Sequence, residues 1–328
     1  MRHRATLAVL FGLALLSSAS LRAQTPPVTD DEVKVTVYRR FVENREPNPG
    51  VAYDAAKEYM RLYGKENDDY TRYLKQWIAA YEEDERARRL AAEREDREQQ
   101  LLGAFTQKKF ADAYARARQV LSDDPNNVKV LIALGYGAVI ASTEAKNENF
   151  NAEAADYAQK AIQLIESGKT LESWTPFKSK EDVLASLHYA LGFYSLKAKP
   201  EEAIVHLVKA AQSNTDRKTA PSTYYYLALA YQNGPYRRLS DDYSKRFSTL
   251  PESPDSKAAL ENINKVVDKI IDAYARAVAL AGNDPQHQKA KSGWMVPLTD
   301  FYKYRHDKSD AGLNPLIAGV LSKPLPQP

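Results

Sequence analysis

The sequence predicts an all-α chain built of helical hairpins, and three observations carry that reading. Apolar residues recur at three- and four-residue spacing, with no sustained period-two alternation bounded by turns. Glycine is scarce, 13 in 328 residues, which disfavours turn-rich β-sandwiches and barrels and nucleotide-binding folds built on glycine loops. The breaks carry helix-terminus chemistry: Asp123-Asp124-Pro125-Asn126-Asn127, Glu166-Ser167-Gly168, Lys199-Pro200, Ala220-Pro221-Ser222 and Gly282-Asn283-Asp284-Pro285. The short connections make sequential helices antiparallel neighbours.

Residues 1–23 read as a secretory signal. Arg2 and Arg4 precede an apolar run from Ala5 to Leu16, followed by Ser17, Ser18, Ala19 and Ser20. A spanning helix needs roughly 20 apolar residues, more than this run supplies. Cleavage falls after Ala23, with Ala19 the alternative. Cysteine is absent, which excludes disulfides, thiolate zinc sites and a lipid-anchored new N-terminus. The whole chain has 46 basic and 43 acidic residues. Residues 1–23 hold Arg2, Arg4 and Arg22 and no acid, so the mature chain has 43 of each and no net charge. The bulk electrostatic case for nucleic acid or an anionic membrane surface disappears with the leader.

Residues 24–67 hold an N-terminal helical hairpin, with "AYDAAKEYMRLYG" and then "RYLKQWIAAY" showing its divergent pattern across 33–81. Residues 68–107 predict one long charged helix joining two parts of the protein. Proline is absent there, and Gly103 is the one glycine. From Glu82 to Gln100 nearly every residue is Glu, Asp, Arg, Gln or Ala. Opposite charges three or four apart stabilise such a solvated helix by about 0.2–0.5 kcal/mol per pair. Leu90 is the only large apolar residue between Tyr81 and Leu101, so a coiled-coil seam is the weaker reading.

Across 100–282 a small-residue pattern repeats. Its first half has a Leu-Gly or Leu-Ala step, as in Leu134-Gly135, Leu191-Gly192 and Leu227-Ala228. Its second half spaces small or apolar residues by four and three: Ala113/Ala117/Val120, Ala154/Ala158/Ala161, Ala203/Leu207/Ala210 and Ile270/Tyr274/Ala277. Small side chains at these places let paired helices approach closely. An insertion over 235–262 splits the last unit. Helices near Gln286–Tyr304 and Leu313–Leu321 cap the end within 283–328, and Pro324, Pro326 and Pro328 close the chain as a short extended tail.

On "FADAYARARQVLSDDPNNVKVLIALGY" and "LHYALGFYSLKAKPEEAIVHLVKAA", residues 100–282 resemble the tetratricopeptide repeat, a helix–turn–helix unit of about 34 residues. The chain is also similar to secreted tetratricopeptide-repeat proteins of acidobacterial type. The resemblance implies a helical solenoid whose first helices line a concave binding face. Carried over, the groove positions are Lys129, Ile132, Tyr136 and Val139, then Tyr189, Phe193 and Leu196, then Tyr225, Leu229 and Gln232. These are mostly aromatic or aliphatic, where family members that clamp a peptide carboxylate carry Lys or Arg with Asn. An extended peptide or protein segment with apolar side chains suits such a surface. Either the groove is open, or residues 235–262 or the C-terminal tail fill it.

Catalytic motifs are not found. Gly168-Lys169-Thr170 matches the end of a phosphate-binding loop, but Gln163 stands where that loop needs glycine, and a helix precedes it. It reads as a helix C-cap. His188, His206, His287 and His306 show no ligand spacing, although His188 and His206 face each other across one predicted hairpin. No metal and no cofactor is expected. Arg237, Arg238, Lys245 and Arg246 form a small basic cluster beside Tyr236 and Tyr243, read as a solvated loop face. Tyrosine is abundant, 21 in all, and suits positions with a buried ring and a wet hydroxyl.

The expected function is a non-catalytic protein- or peptide-binding scaffold of the bacterial cell envelope, periplasmic or secreted. One alternative is an enzyme or enzyme subunit acting on cell-wall glycan. Another is a structural role through self-association of the long helix. The leader reading predicts that N-terminal sequencing of the native protein finds Gln24, or Ser20 for the alternative cleavage. An intact Met1 in a membrane fraction would make the leader an anchor.

Overall fold

A computed structural model describes residues 29–327. The predicted leader and both cleavage positions lie outside the described residues, as does Pro328. Most of the described residues are helical, and none lies in a strand. None of their helices is long and apolar enough to cross a membrane. The chain divides into two compact units, one up to Ala91 and one from Ala92 onward.

The first unit packs α1 (Asp30–Asn44), α2 (Pro49–Tyr63) and the beginning of α3 (Asp69–Thr106). Thr29 and Glu32 form a capping box that satisfies the first free amides of α1. Pro49 opens α2, where its missing N–H costs nothing. The core holds Phe41, Ala52, Ala56, Tyr59 and Leu74, all essentially inaccessible to solvent.

The second unit begins within α3 and continues through α4 (Phe110–Asp123), α5 (Val128–Glu144), α6 (Asn151–Glu166), α7 (Lys180–Ser195) and α8 (Pro200–Gln212). A short α9 (Asp216–Thr219) leads into α10 (Pro221–Tyr231). Asn127 and Ser179 accept N-cap hydrogen bonds at α5 and α7, while Gly168, at φ +100°, follows α6. The sequence pattern has a direct physical counterpart here. A Cβ added to Gly135 would lie 2.8 Å from the Ala158 Cα, so α5 and α6 touch backbone to backbone. A Cβ on Gly192 would lie 2.4 Å from Leu207 Cγ, so the missing side chain of α7 makes room for Leu207 of α8, with the Ala203 carbonyl oxygen at 3.3 Å. Ala154, Ala161, Ala203 and Ala210 are fully buried in the same hairpins.

Residues 235–262 are not a loop. α10 runs through a π-helical turn, Gln232–Tyr236, into α11 (Arg237–Phe247), and α12 (Pro254–Ala281) follows. Pro235 sits inside the turn, where the wider winding accommodates its missing N–H. The basic cluster read as a loop face therefore lies on a helix. There, Arg246 pairs with Asp242 at 3.1 Å and Arg238 with Glu201 at 3.7 Å. α13 (Gln288–Arg305) and α14 (Leu313–Gly319) bring Trp294, Leu298, Tyr302 and Leu313 into the core formed with α12. The tail is held as well: buried Arg276 bonds Asp272 at 2.6 Å and donates to the Lys323 and Pro324 carbonyls.

The tight crossings make a stability prediction. Ala203→Leu should destabilise the protein by about 1–3 kcal/mol through overpacking. Gly135→Ala should also destabilise, because its Cβ meets backbone that cannot rotate away. Urea unfolding of both variants checks this, and wild-type midpoints would show that these crossings are looser than described.

Candidate functional site

An apolar concavity lies within the second unit. It is a cavity of about 400 Å³ between the end of α3, the exposed face of α5 and the connection from α6 to α7. α5 contributes Lys129, Ile132, Ala133, Tyr136 and Ile140 at helical spacing, which sets them on one face. Phe105 of α3 lies over Gly137, whose missing side chain makes room for the ring: a Cβ there would meet Phe105 at 2.4 Å. Leu171, Trp174 and Phe177 form the third wall. The Phe177 ring stands edge-on to Tyr136 at 5.8 Å.

Charge is present only at the margins. Lys129 faces Glu98 at 3.6 Å, and Asn127 also donates to Glu98, at 2.6 Å. Beyond Tyr136 lies Arg217, carried by α9. Its guanidinium lies 4.2 Å from the Tyr189 ring centroid and 5.2 Å from that of Tyr136. It donates to the Tyr136 hydroxyl and, at 3.3 Å, to Ser186 Oγ.

Three of the ten groove positions, Lys129, Ile132 and Tyr136, line the cavity, and two of these, Ile132 and Tyr136, also pack within or against a buried core. Val139, Tyr189 and Leu196 are buried in the core shared by α7, α8, α10 and α12, and Phe193, Tyr225 and Leu229 pack partly buried against it. Tyr189 donates to Ser222 at 3.2 Å, and burial pushes its phenol pKa up. Tyr225 stacks on Trp294 of α13 at 5.2 Å. Gln232 accepts from the Tyr274 hydroxyl at 3.2 Å. Covering elements thus include Arg217 and α13, neither of which was among the expected occupants. The expected ones also reach this core, Tyr236 and Tyr243 from 235–262 and Leu325 from the tail.

Sequence reasoning missed Phe105, Trp174, Phe177 and Arg217. For two of them a signal existed: Trp174 and Phe177, with Leu171, are the large apolar residues inside a connection otherwise made of polar residues, glycine and proline. Such residues stay in a surface loop only where something covers them or binds them.

His188 and His206 do meet, with Nδ1 atoms 3.0 Å apart and rings stacked at 5.2 Å. No cluster of three metal-ligating side chains occurs among the described residues. Burial, then the charges of His206 and Lys209, push the His188 pKa down to about 4. Burial also lowers that of His206. At neutral pH one imidazole donates and the other accepts.

Comparisons with protein-family models, with curated proteins and with solved structures gave no match.

The histidine pair predicts a pH dependence. Both pKa values are depressed on folding, so the unfolded chain takes up protons first as pH falls. Stability from this pair is complete above the ordinary histidine value of 6.5 and declines as pH drops toward about 4. Thermal melts of His188→Gln should show a shallower loss over that window than wild type. Parallel curves would mean that the pair is not buried as a neutral unit.

Proposed function

We propose that the chain is a non-catalytic protein- or peptide-binding scaffold of the bacterial cell envelope, built on tetratricopeptide-like hairpins. The aromatic cavity carries this reading. It has the size of ordinary ligand pockets, about 300–1,000 Å³. Its walls present Phe105, Tyr136, Trp174 and Phe177 together. Aromatic side chains of this kind anchor a partner's apolar side chain at little entropic cost, each contributing 2 kcal/mol or more where it acts as a hot spot, roughly. Its α5 wall holds three positions that the repeat resemblance marks as ligand-facing, Lys129, Ile132 and Tyr136. The envelope placement rests on the leader pattern of residues 1–23, and the solenoid on the repeated Leu-Gly and small-residue spacing.

A glycan-cleaving enzyme would need a carboxylate pair beside the aromatic site. Asp272 is the carboxyl that burial holds above its usual range, and it is bound by Arg276 outside the cavity walls. No observation favours that alternative.

Selection from a displayed random-peptide library tests the proposal. The wild-type protein should enrich peptides with an aromatic or branched apolar residue. Trp174→Ala should weaken binding of an enriched peptide by about 2 kcal/mol, and Ala133→Phe, which fills the cavity, should abolish it. Both variants must first show native circular dichroism. Equal retention by all three proteins would remove this surface from consideration.

A further inference from the structure

We propose that the cavity and Arg217 form one composite site for an apolar carboxylate. The ligand's hydrophobic body lies among Phe105, Trp174 and Phe177, and its carboxylate bonds the guanidinium of Arg217. The proposal shares one premise with the proposed function, that the cavity is a ligand site, and adds the ligand's charge.

Tyr136 joins the two halves. Its ring is a wall of the cavity, and its hydroxyl accepts from Arg217 Nη2. The guanidinium therefore stands one phenol ring beyond the apolar surface. Tyr136 and Tyr189 provide aromatic faces beside it, and Ser186 bonds Nε, so its position is fixed before any ligand arrives. Its bonding is incomplete. A guanidinium has five N–H donors, and these two contacts leave Nη1 without an acceptor among the described residues.

Charge balance points the same way. Lys129 of the cavity wall has Glu98 as its carboxylate partner, and Lys178, next to Phe177 in sequence, has Asp216 at 2.6 Å. Asp216 adjoins Arg217 in sequence yet pairs with Lys178. Half-buried Arg217 has no carboxylate within ion-pair distance among the described residues. A planar carboxylate matches its free donors, and the stacked tyrosines reduce competition from water. The chemistry fits a free organic acid or the last residue of a peptide chain.

Calorimetric titration with two matched pairs tests this. Hydrocinnamate and its amide represent the free acid; N-acetylphenylalanine and its amide represent a peptide end. At least one acid should bind about tenfold or more tightly than its own amide. The better of the two acids identifies the source. Arg217→Gln should abolish the acid's preference over its own amide, and Arg217→Lys should restore part of that ratio. A purely structural role for Arg217 would weaken acid and amide alike. Equal binding of acid and amide to wild type, or a preference that survives Arg217→Gln, would overturn the proposal. So would binding of neither member of both pairs. Peptide enrichment through amidated or internal apolar residues, with no acid preference, would leave the binding-scaffold reading standing and remove this one.

Discussion

Close approach of helix backbones at the centre of each hairpin is the constraint on which the second unit depends. Gly135 against Ala158 and Gly192 against Leu207 remove the side chains that would hold α5 from α6 and α7 from α8. Tyrosine hydroxyls tie two further helices to the same step of α5. Tyr114 of α4 donates to the Leu134 carbonyl at 2.7 Å, and Tyr194 of α7 donates to the Gly135 carbonyl at 2.8 Å. Two successive carbonyls at the small-residue step of α5 therefore each bind a neighbouring helix. A phenylalanine would fill the same volume but leave that carbonyl without its second partner. Two of the 21 tyrosines are explained this way. The phenol bodies are buried, and burial raises the pKa of both Tyr114 and Tyr194.

The cavity follows from the same packing carried to the edge of the hairpin. α5 is apolar on nearly all sides, because α4, α6 and α7 surround most of it. Its remaining face, from Lys129 to Ile140, has no helix of its own to bury it. Phe105 and the Leu171–Phe177 connection cover that face incompletely, and the space between them is the pocket. Arg217 then fastens α9 to α5 through Tyr136 and to α7 through Ser186. A single arginine thus couples the pocket wall to the next hairpin. At the other end of the unit Arg276 plays a corresponding part, joining Asp272 of its own helix to the carbonyls of the tail.

The sequence by itself determined the all-helical class, because spacing by three and four, scarce glycine and proline-bearing breaks are local properties of the chain. It also marked small residues of the hairpin crossings. Gly135, Gly192, Ala203 and Ala210 can be read from spacing because a helix repeats its faces with a fixed period. The same arithmetic let His188 and His206 approach across one hairpin, and the fold brings their Nδ1 atoms to 3.0 Å. What only the tertiary structure decided involves residues without a period. Trp174 and Phe177 sit in a connection, whose path no repeat dictates. Arg217 lies 81 residues from the tyrosine it bonds. Residues 235–262 look like an interruption, yet a π turn carries them on as helix around Pro235. Phe193 and Leu229 stand where Tyr136 does after the Leu-Gly or Leu-Ala step, but they pack against the core while Tyr136 also lines the cavity. A local pattern fixes which way a side chain points from its own helix. Whether that direction meets solvent, a ligand or another part of the chain depends on segments far away in sequence.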